Sequence, residues 1–342
     1  MLSLVLIYVG SYTPDAGGDG KGISVWRVGD GRPARPAAPT AAISSPSYLV
    51  AHPRAAMVYA VNELTDGSVT ALAAGPGGEL EPVARESTGG AAPCHLALTP
   101  DARHLLCANY GSGSVAVFAV GPDGALGGRT DLVAHHGGGP DRNRQDGPHA
   151  HHVWAGGGGE VTAVDLGTDT LYGYRLGGDG RLTATWRSHA GPGVGPRHLV
   201  AAPSGHRYVV DELASTVSVY EPAPDGLRLV QRLPATMAAP AGPNQPAGIA
   251  LSADGRYVYV SNRGNDTITT FAAHGAALTP VEEISTGGAW PRHFTIAGDV
   301  MYVANERSDT VTVLRLDPRS GVPRPTGARI DVPTPVCVLI RD

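Results

Sequence analysis

The sequence has little of what marks a disulfide-stapled, membrane-spanning or helical protein. Cysteine is confined to Cys94, Cys107 and Cys337. Three scattered thiols make no disulfide framework and read as small buried hydrophobes in a reducing compartment, so a cytoplasmic setting is expected. No apolar run is long enough to span a bilayer. Leu2 to Val9 is short, lacks a basic flank and is needed as a strand, which argues against a signal peptide. No charge of one sign dominates: a formal net charge of −5 offers no general surface for nucleic acid or membrane. Aromatic residues make up 6% and no convincing amphipathic helix can be drawn, whereas glycine (47) and proline (29) abound. Many short strands joined by many turns are the simplest reading.

What the chain does have is a repeated phrase. Gly195 to Tyr220 opens with Pro196 and a short apolar strand, Leu199 to Ala201, and turns at Pro203-Ser204-Gly205. It then runs as a strand from Arg207 to Val210 into Asp211-Glu212 and returns as a third strand, Thr216 to Tyr220. Relatives of this phrase open at Pro46, Pro93, Pro148, Pro246 and Pro291, a spacing that suits propeller blades of four strands. A half-phrase, Pro335-Val336-Cys337-Val338, stands last. Its continuation is at the other end, where Ile7 to Tyr12 matches the second strand and Gly22 to Val28 the third. Six whole copies and one divided copy predict an all-β fold: a seven-bladed β-propeller in a single domain over residues 1–342, its last blade closed by N- and C-terminal strands. The outer strands, such as Leu80 to Glu86 and Leu278 to Ile284, are weakly patterned, as strands with one edge in solvent are.

One segment departs from the repeat. Ala134 to His152 is longer than its counterparts and carries five histidines with Arg142 and Arg144. A long loop in a terse repeat points to function. Overlaying the copies on their prolines defines two further series. The residue after each proline varies: Ser47, Cys94, His149, Arg197, Ala247, Arg292, Val336. So does the residue after the Asn, Asp or Ser that ends each second strand: Glu63, Tyr110, Leu166, Glu212, Arg263, Glu306, Tyr12. In a meander the two positions lie at the same edge, so both series ring one mouth of the central channel. The Asn or Asp itself is expected to be a turn residue bonding nearby backbone. His95, His198 and His293 share a slot and read as packing or strand-bridging elements. In the same overlay His151 falls where other copies have Leu49, Leu96, Leu199, Ile249, Phe294 and Val338. A polar ring at a core position needs a reason.

His149, Arg197 with Glu212, Arg263, and Arg292 with Glu306 fall in four consecutive blades, and Arg142, Arg144 and Tyr110 stand ready to join them. Such a pocket suits an anionic small molecule whose reaction moves a proton. Guanidinium forks hold carboxylate or phosphate and stabilise oxyanions, and an imidazole transfers protons near neutral pH. Glu212 orients the histidine, activates water, or balances Arg197 and Arg263. No metal and no cofactor is expected: the histidine-rich tract lacks a ligand spacing, its nearby acids are few, and arginines repel a cation. Cys94 beside His95 has no third orienting group and reads as packing. Trp154, Trp186 and Trp290 wall the pocket or plug blade interfaces. The sequence sets no oligomeric state.

The phrases YVGSYT, GPDRNRQDGPHAHHV, GPRHL, VVDELASTVSVY, VSNRGNDTITTF, and PRHFTI with VANERSDTVTVL resemble the seven-bladed propeller lactonase family over the whole chain. That family holds bacterial propeller-type 6-phosphogluconolactonases and the fungal enzyme that interconverts 3-carboxy-cis,cis-muconate and its lactone. The resemblance implies as acid–base and anion-binding groups His149 or His151 in PHAH, Arg197 in PRH, Glu212 in DEL and Arg263 in SNR. It implies hydrolysis of an anionic sugar lactone without a metal, the partner being a small anionic lactone or carboxylic acid. Lactonising cyclisation and non-catalytic ligand or protein binding are the alternative functions on the same fold.

Overall fold

The computed structural model describes residues 5–29, 32–239 and 242–341; the first part of the apolar N-terminal run, 2–4, lies outside the described residues. The strands pair with sequence neighbours except where the two ends of the chain meet, and seven antiparallel sheets of four strands result. Blades 1 to 6 span residues 49–87, 93–134, 150–189, 196–234, 245–285 and 291–331. The seventh takes its innermost strand, Pro335–Arg341, from the C-terminal end and its other three, Val5–Ser11, Ile23–Gly29 and Arg32–Ala41, from the N-terminal end. Val9 pairs with Val338 and Gly10 with Cys337, so the ring is closed by backbone hydrogen bonds and not by a covalent link.

Burial explains why each element adopts its pattern. Second strands are covered on both faces by neighbouring blades; His104–Asn109 and Val300–Asn305 are buried at every residue. Outer strands leave one edge unpaired and are largely exposed, as in Pro323–Asp331, where polar residues and prolines are tolerated. The apolar core lies between blades: Tyr59 and Val61 of blade 1 pack with Leu105 and Phe118 of blade 2, and Ile7 and Val9 of blade 7 with Tyr302 and Ala304 of blade 6. A tyrosine on the second strand also reaches across the boundary. Tyr59, Tyr208 and Tyr259 donate their hydroxyls to the carbonyls of Gly124, Gly275 and Gly321, in turns of the next blade, at 2.6, 2.9 and 2.9 Å.

The Asn or Asp that ends each second strand is fully buried, with a role wider than a turn. Asn62 accepts from Ser68 and Thr70, Asp211 from Thr216 and Ser218, and Asn262 donates to Thr267 and Thr269. Hydroxyls on the adjacent third strand join the expected backbone partners: Asp165 accepts the Thr168 and His149 amides, and Asn62 donates to the Ser44 carbonyl. The pin satisfies polar groups at the crowded end of each blade.

A repeated irregularity sets up the channel mouth. Inner and second strands slip register by one residue in blades 2 to 7, between Pro93 and His95, Ala150 and His152, Pro196 and His198, Pro246 and Ile249, Pro291 and His293, and Pro335 and Cys337. Each slip is a β-bulge, and a bulge re-aims the extra side chain.

Candidate active site

The bulges throw Cys94, His151, Arg197, Arg292 and Val336 into the channel, where with Ser47 they line a narrow cavity beneath the mouth. This corrects the register of blade 3. Ala150, not Pro148, pairs with Asp165 as Pro196 pairs with Asp211, and His152 pairs with Val164 as His198 pairs with Val210. His151 therefore stands in the slot of Cys94, Arg197 and Arg292, and not in the apolar slot, which Val153 fills. His152 joins His95, His198 and His293. The triplets Cys94-His95-Leu96, His151-His152-Val153, Arg197-His198-Leu199 and Arg292-His293-Phe294 carry this register in the sequence; anchoring on the proline obscured it.

Above the cavity opens a cleft of about 320 Å³ whose walls include Tyr110, Arg144, His151, Glu212, Arg263 and Arg292. Its centre is Glu212, which is 2% exposed. Arg144 donates Nη2 to Oε1 at 2.5 Å and Arg263 donates Nη2 to Oε2 at 2.6 Å. Arg197 brings Nε to 3.0 Å from Oε2, but Nε is not aligned to donate, so this contact is Coulombic. Burial by itself would raise the Glu212 pKa; the charges of Arg263, Arg197 and Arg144 more than reverse it and hold the carboxyl well below the usual carboxylate range. Burial and then Arg263 push Arg197 down to about 9, still protonated at neutral pH, with Glu212 opposing. Arg197 spends Nη1 on the Ala247 carbonyl and His198, and Arg263 spends Nε on the Gln245 carbonyl. Nη2 of Arg197 and Nη1 of Arg263 are left with no acceptor among the described residues.

His151 is buried beside this hub. Its Nδ1 lies 3.7 Å from the Cys94 sulfur, and Nε2 has no protein partner among the described residues. Burial, then Arg197, lowers its pKa well below the ordinary histidine value, with Glu212 pulling the other way; it is neutral at pH 7. Cys94 is a buried thiol whose pKa burial pushes up, which fits packing and not a thiolate. Beneath lies a plug of rings packed at a tilt: Tyr48 against His95 at 4.1 Å between centroids, His95 against His152 at 3.9 Å, His152 against His198 at 5.0 Å. His95 and His293 bridge blades by accepting the Val153 and Val338 amides.

The long loop is built, not slack. Buried Gln145 donates to the Leu166 carbonyl at 2.9 Å and accepts the Asp141 amide at 3.2 Å, and Arg144 next to it crosses to Glu212 and to the Tyr110 hydroxyl. His149 and Arg142 stand apart. His149 stacks on Tyr110 at 4.5 Å and bonds the Tyr110 carbonyl and Asp146, outside the side chains that line the cleft. Arg142 is exposed on the loop and likewise lines no part of the cleft.

The far wall holds groups that the repeat overlay underweighted. Arg292 pairs with Glu306 at 3.3 Å and donates to the Tyr12 hydroxyl at 2.5 Å, and Tyr12 donates to Glu63 at 2.9 Å. Trp290, Arg307 and Gln245 complete it. Trp290 walls the pocket, whereas Trp154 and Trp186 pack against the core between blades 3 and 4. Among the described residues no three His, Cys, Asp or Glu side chains converge to hold a metal ion.

Comparison with known proteins places these features in company. Residues 6–340 match the family model described as lactonase, 7-bladed beta-propeller. The chain is 34% identical to the 6-phosphogluconolactonase of Bacillus subtilis, with 97% of each chain covered. It superposes on the periplasmic gluconolactonase of Pseudomonas aeruginosa with a TM-score of 0.91 at 32% identity, covering 99% of both chains. It superposes equally on a candidate 6-phosphogluconolactonase of Bacteroides fragilis, TM-score 0.90 at 31% identity, covering 99% of this chain and 98% of that one.

Proposed function

The chain belongs to the family of seven-bladed β-propeller lactonases, and from that premise we propose that it hydrolyses an anionic sugar lactone, 6-phosphogluconolactone in the leading case, without a metal. The observation that carries this is a neutral buried imidazole, His151, beside a carboxylate whose charge is committed to three guanidiniums.

Glu212 is too weak a base to accept the proton, because its arginine partners stabilise the anion. His151 is the acid–base group. It takes a proton from water as the water oxygen bonds to the lactone carbonyl carbon. The oxyanion that forms is met by the unspent donors of Arg197 and Arg263. Collapse breaks the ring carbon–oxygen bond, and the imidazolium returns the proton to the departing ring oxygen. Glu212 stays ionised and stabilises the imidazolium between the two steps. Arg144, Arg292 and Tyr110 hold the substrate's polar edge, with Glu306 orienting Arg292. His149, stacked behind Tyr110, positions that ring. The three free thiols, all buried, suit a cytoplasmic setting.

Ring opening followed by proton NMR, with mass spectrometry of the product formed in ¹⁸O-labelled water, tests the proposal. One labelled oxygen should enter the acid product at a rate well above buffer, and a chelator should leave that rate unchanged. No acceleration over buffer for any phosphorylated or carboxylated lactone would remove the hydrolytic reading; label-free ring closure of an unsaturated diacid would put cyclisation in its place.

A further inference from the structure

We infer that Arg307, stacked on the indole of Trp290 at the rim of the cleft, is a subsite for the remote oxyanion of the substrate, a phosphate in the leading case, and so selects phosphorylated over neutral lactones. This rests on the lactonase reading and deepens it by assigning the residue that holds the substrate's anion.

The first observation is positional. Six of the seven blades have a rim residue whose carbonyl accepts the amide that follows the second strand: Ser45 from Glu63, Ala92 from Tyr110, His149 from Leu166, Gly195 from Glu212, Trp290 from Glu306, Thr334 from Tyr12. Most are small, and several are left-handed: Ser45, Ala92, Gly195 and Thr334 have φ between 40° and 60°. Trp290 holds φ 65°, a conformation that disfavours a large side chain. The surroundings enforce it. The Trp290 amide donates to Asp266 at 2.7 Å and the Ala289 amide to the Ser308 hydroxyl at 2.9 Å. A bulky ring kept at a strained position in a slot of small residues, and facing the cleft, points to a role in the cleft.

The second observation is charge. Five guanidiniums, those of Arg144, Arg197, Arg263, Arg292 and Arg307, and three carboxylates, those of Glu63, Glu212 and Glu306, line the cleft and the cavity under it. The cleft is positive in a chain of net charge −5. Arg144, Arg197 and Arg263 face Glu212, and Arg292 faces Glu306. Arg307 has no carboxylate partner among the described residues. Its guanidinium carbon lies 3.4 Å from the Trp290 ring centroid, and its amide is tied to the Ala289 carbonyl at 3.1 Å. A stacked guanidinium is pre-organised and weakly hydrated, so it loses little on binding phosphate bidentately. The same indole lies 5.5 Å from the Arg263 guanidinium. Trp290 thus spans from the reacting end of the site to a free cation, as a substrate with its lactone at one end and its anion at the other requires.

The test compares kcat/KM for 6-phosphoglucono-δ-lactone and glucono-δ-lactone in wild type, Arg307→Ala and Trp290→Leu. For Arg307→Ala the phosphorylated substrate should lose about tenfold to a hundredfold, mostly through KM, the range of one charge-assisted contact. The neutral lactone should lose far less, and competitive inhibition by inorganic phosphate should weaken in parallel. Trp290→Leu should give a smaller loss in the same direction, and circular dichroism reports whether it is folded. An equal loss with both lactones, or no loss with either, overturns the subsite. If wild type turns over neither lactone, the hydrolytic reading has failed separately. Calorimetric titration with 6-phosphogluconate then decides the subsite: weaker binding to Arg307→Ala supports it, and equal binding refutes it.

Discussion

At Glu212 a single carboxylate meets three guanidiniums, and His151 sits in the field they make. The consequence is a histidine that stays neutral well into acid, because burial and Arg197 both disfavour its charged form. A base works only unprotonated, so the acid limb of kcat/KM should lie below the ordinary histidine pKa of about 6.5. The rate should hold through neutral pH and fall only in stronger acid. His151→Asn should lower kcat by about 10²- to 10⁴-fold, the usual worth of a general base. His149→Asn, which removes a ring stacked behind Tyr110, should cost far less. A pH–rate profile corrected for spontaneous opening checks both. An acid limb at or above about 6.5 would remove His151 as the base, and a larger loss at position 149 would move that role to His149.

At the scale of elements, two irregular backbone features hold the site: the bulge that opens the inner strand in blades 2 to 7 and the loop from 135 to 149. The loop's anchor is Gln145, 2% exposed, with both ends of its amide bonded. Gln145→Ala leaves the Leu166 carbonyl and the Asp141 amide to find water, a loss of about 1–2 kcal/mol in the loop's local stability. Arg144 is then no longer fixed against Glu212. Steady-state kinetics should show KM rising about threefold to tenfold, with kcat reduced less, as expected when a contact common to ground and transition states weakens. A fall in kcat at constant KM would assign the loop to chemistry instead.

For the molecule as a whole, the channel concentrates histidines that are buried and neutral. Burial lowers the pKa values of His95, His151, His152 and His198, that of His152 to about 3. An unfolded chain takes up protons on these rings from about pH 6.5 downward, while the folded ring keeps them off. Stability is therefore lost as pH falls below that point, each ring adding up to about 1.4 kcal/mol per pH unit. Glu212 acts in the same direction at lower pH: its depressed pKa stabilises the fold above the ordinary carboxylate range and is lost as pH falls through its folded value. Urea unfolding between pH 7 and 4.5 should show a midpoint falling steeply from about pH 6.5. A flat profile would mean that the rings are charged or hydrated in the fold. We propose that 1–342 unfolds in one transition, since each apolar cluster is shared between blades.

The blade count, the divided seventh blade and the mouth that gathers Arg197, Glu212 and Arg263 were determined by the sequence, because a repeat that buries its faces against copies of itself must write each copy out. Tertiary structure decided the rest. The bulge puts two residues opposite one, and that slip leaves no mark in strand periodicity, so the proline at 148 drew His149 into a slot that belongs to His151. Long-range contacts decided that Arg144 reaches Glu212 while Arg142 does not, and that Arg307 lies on Trp290. Such pairings depend on distances across the ring, which no local pattern encodes.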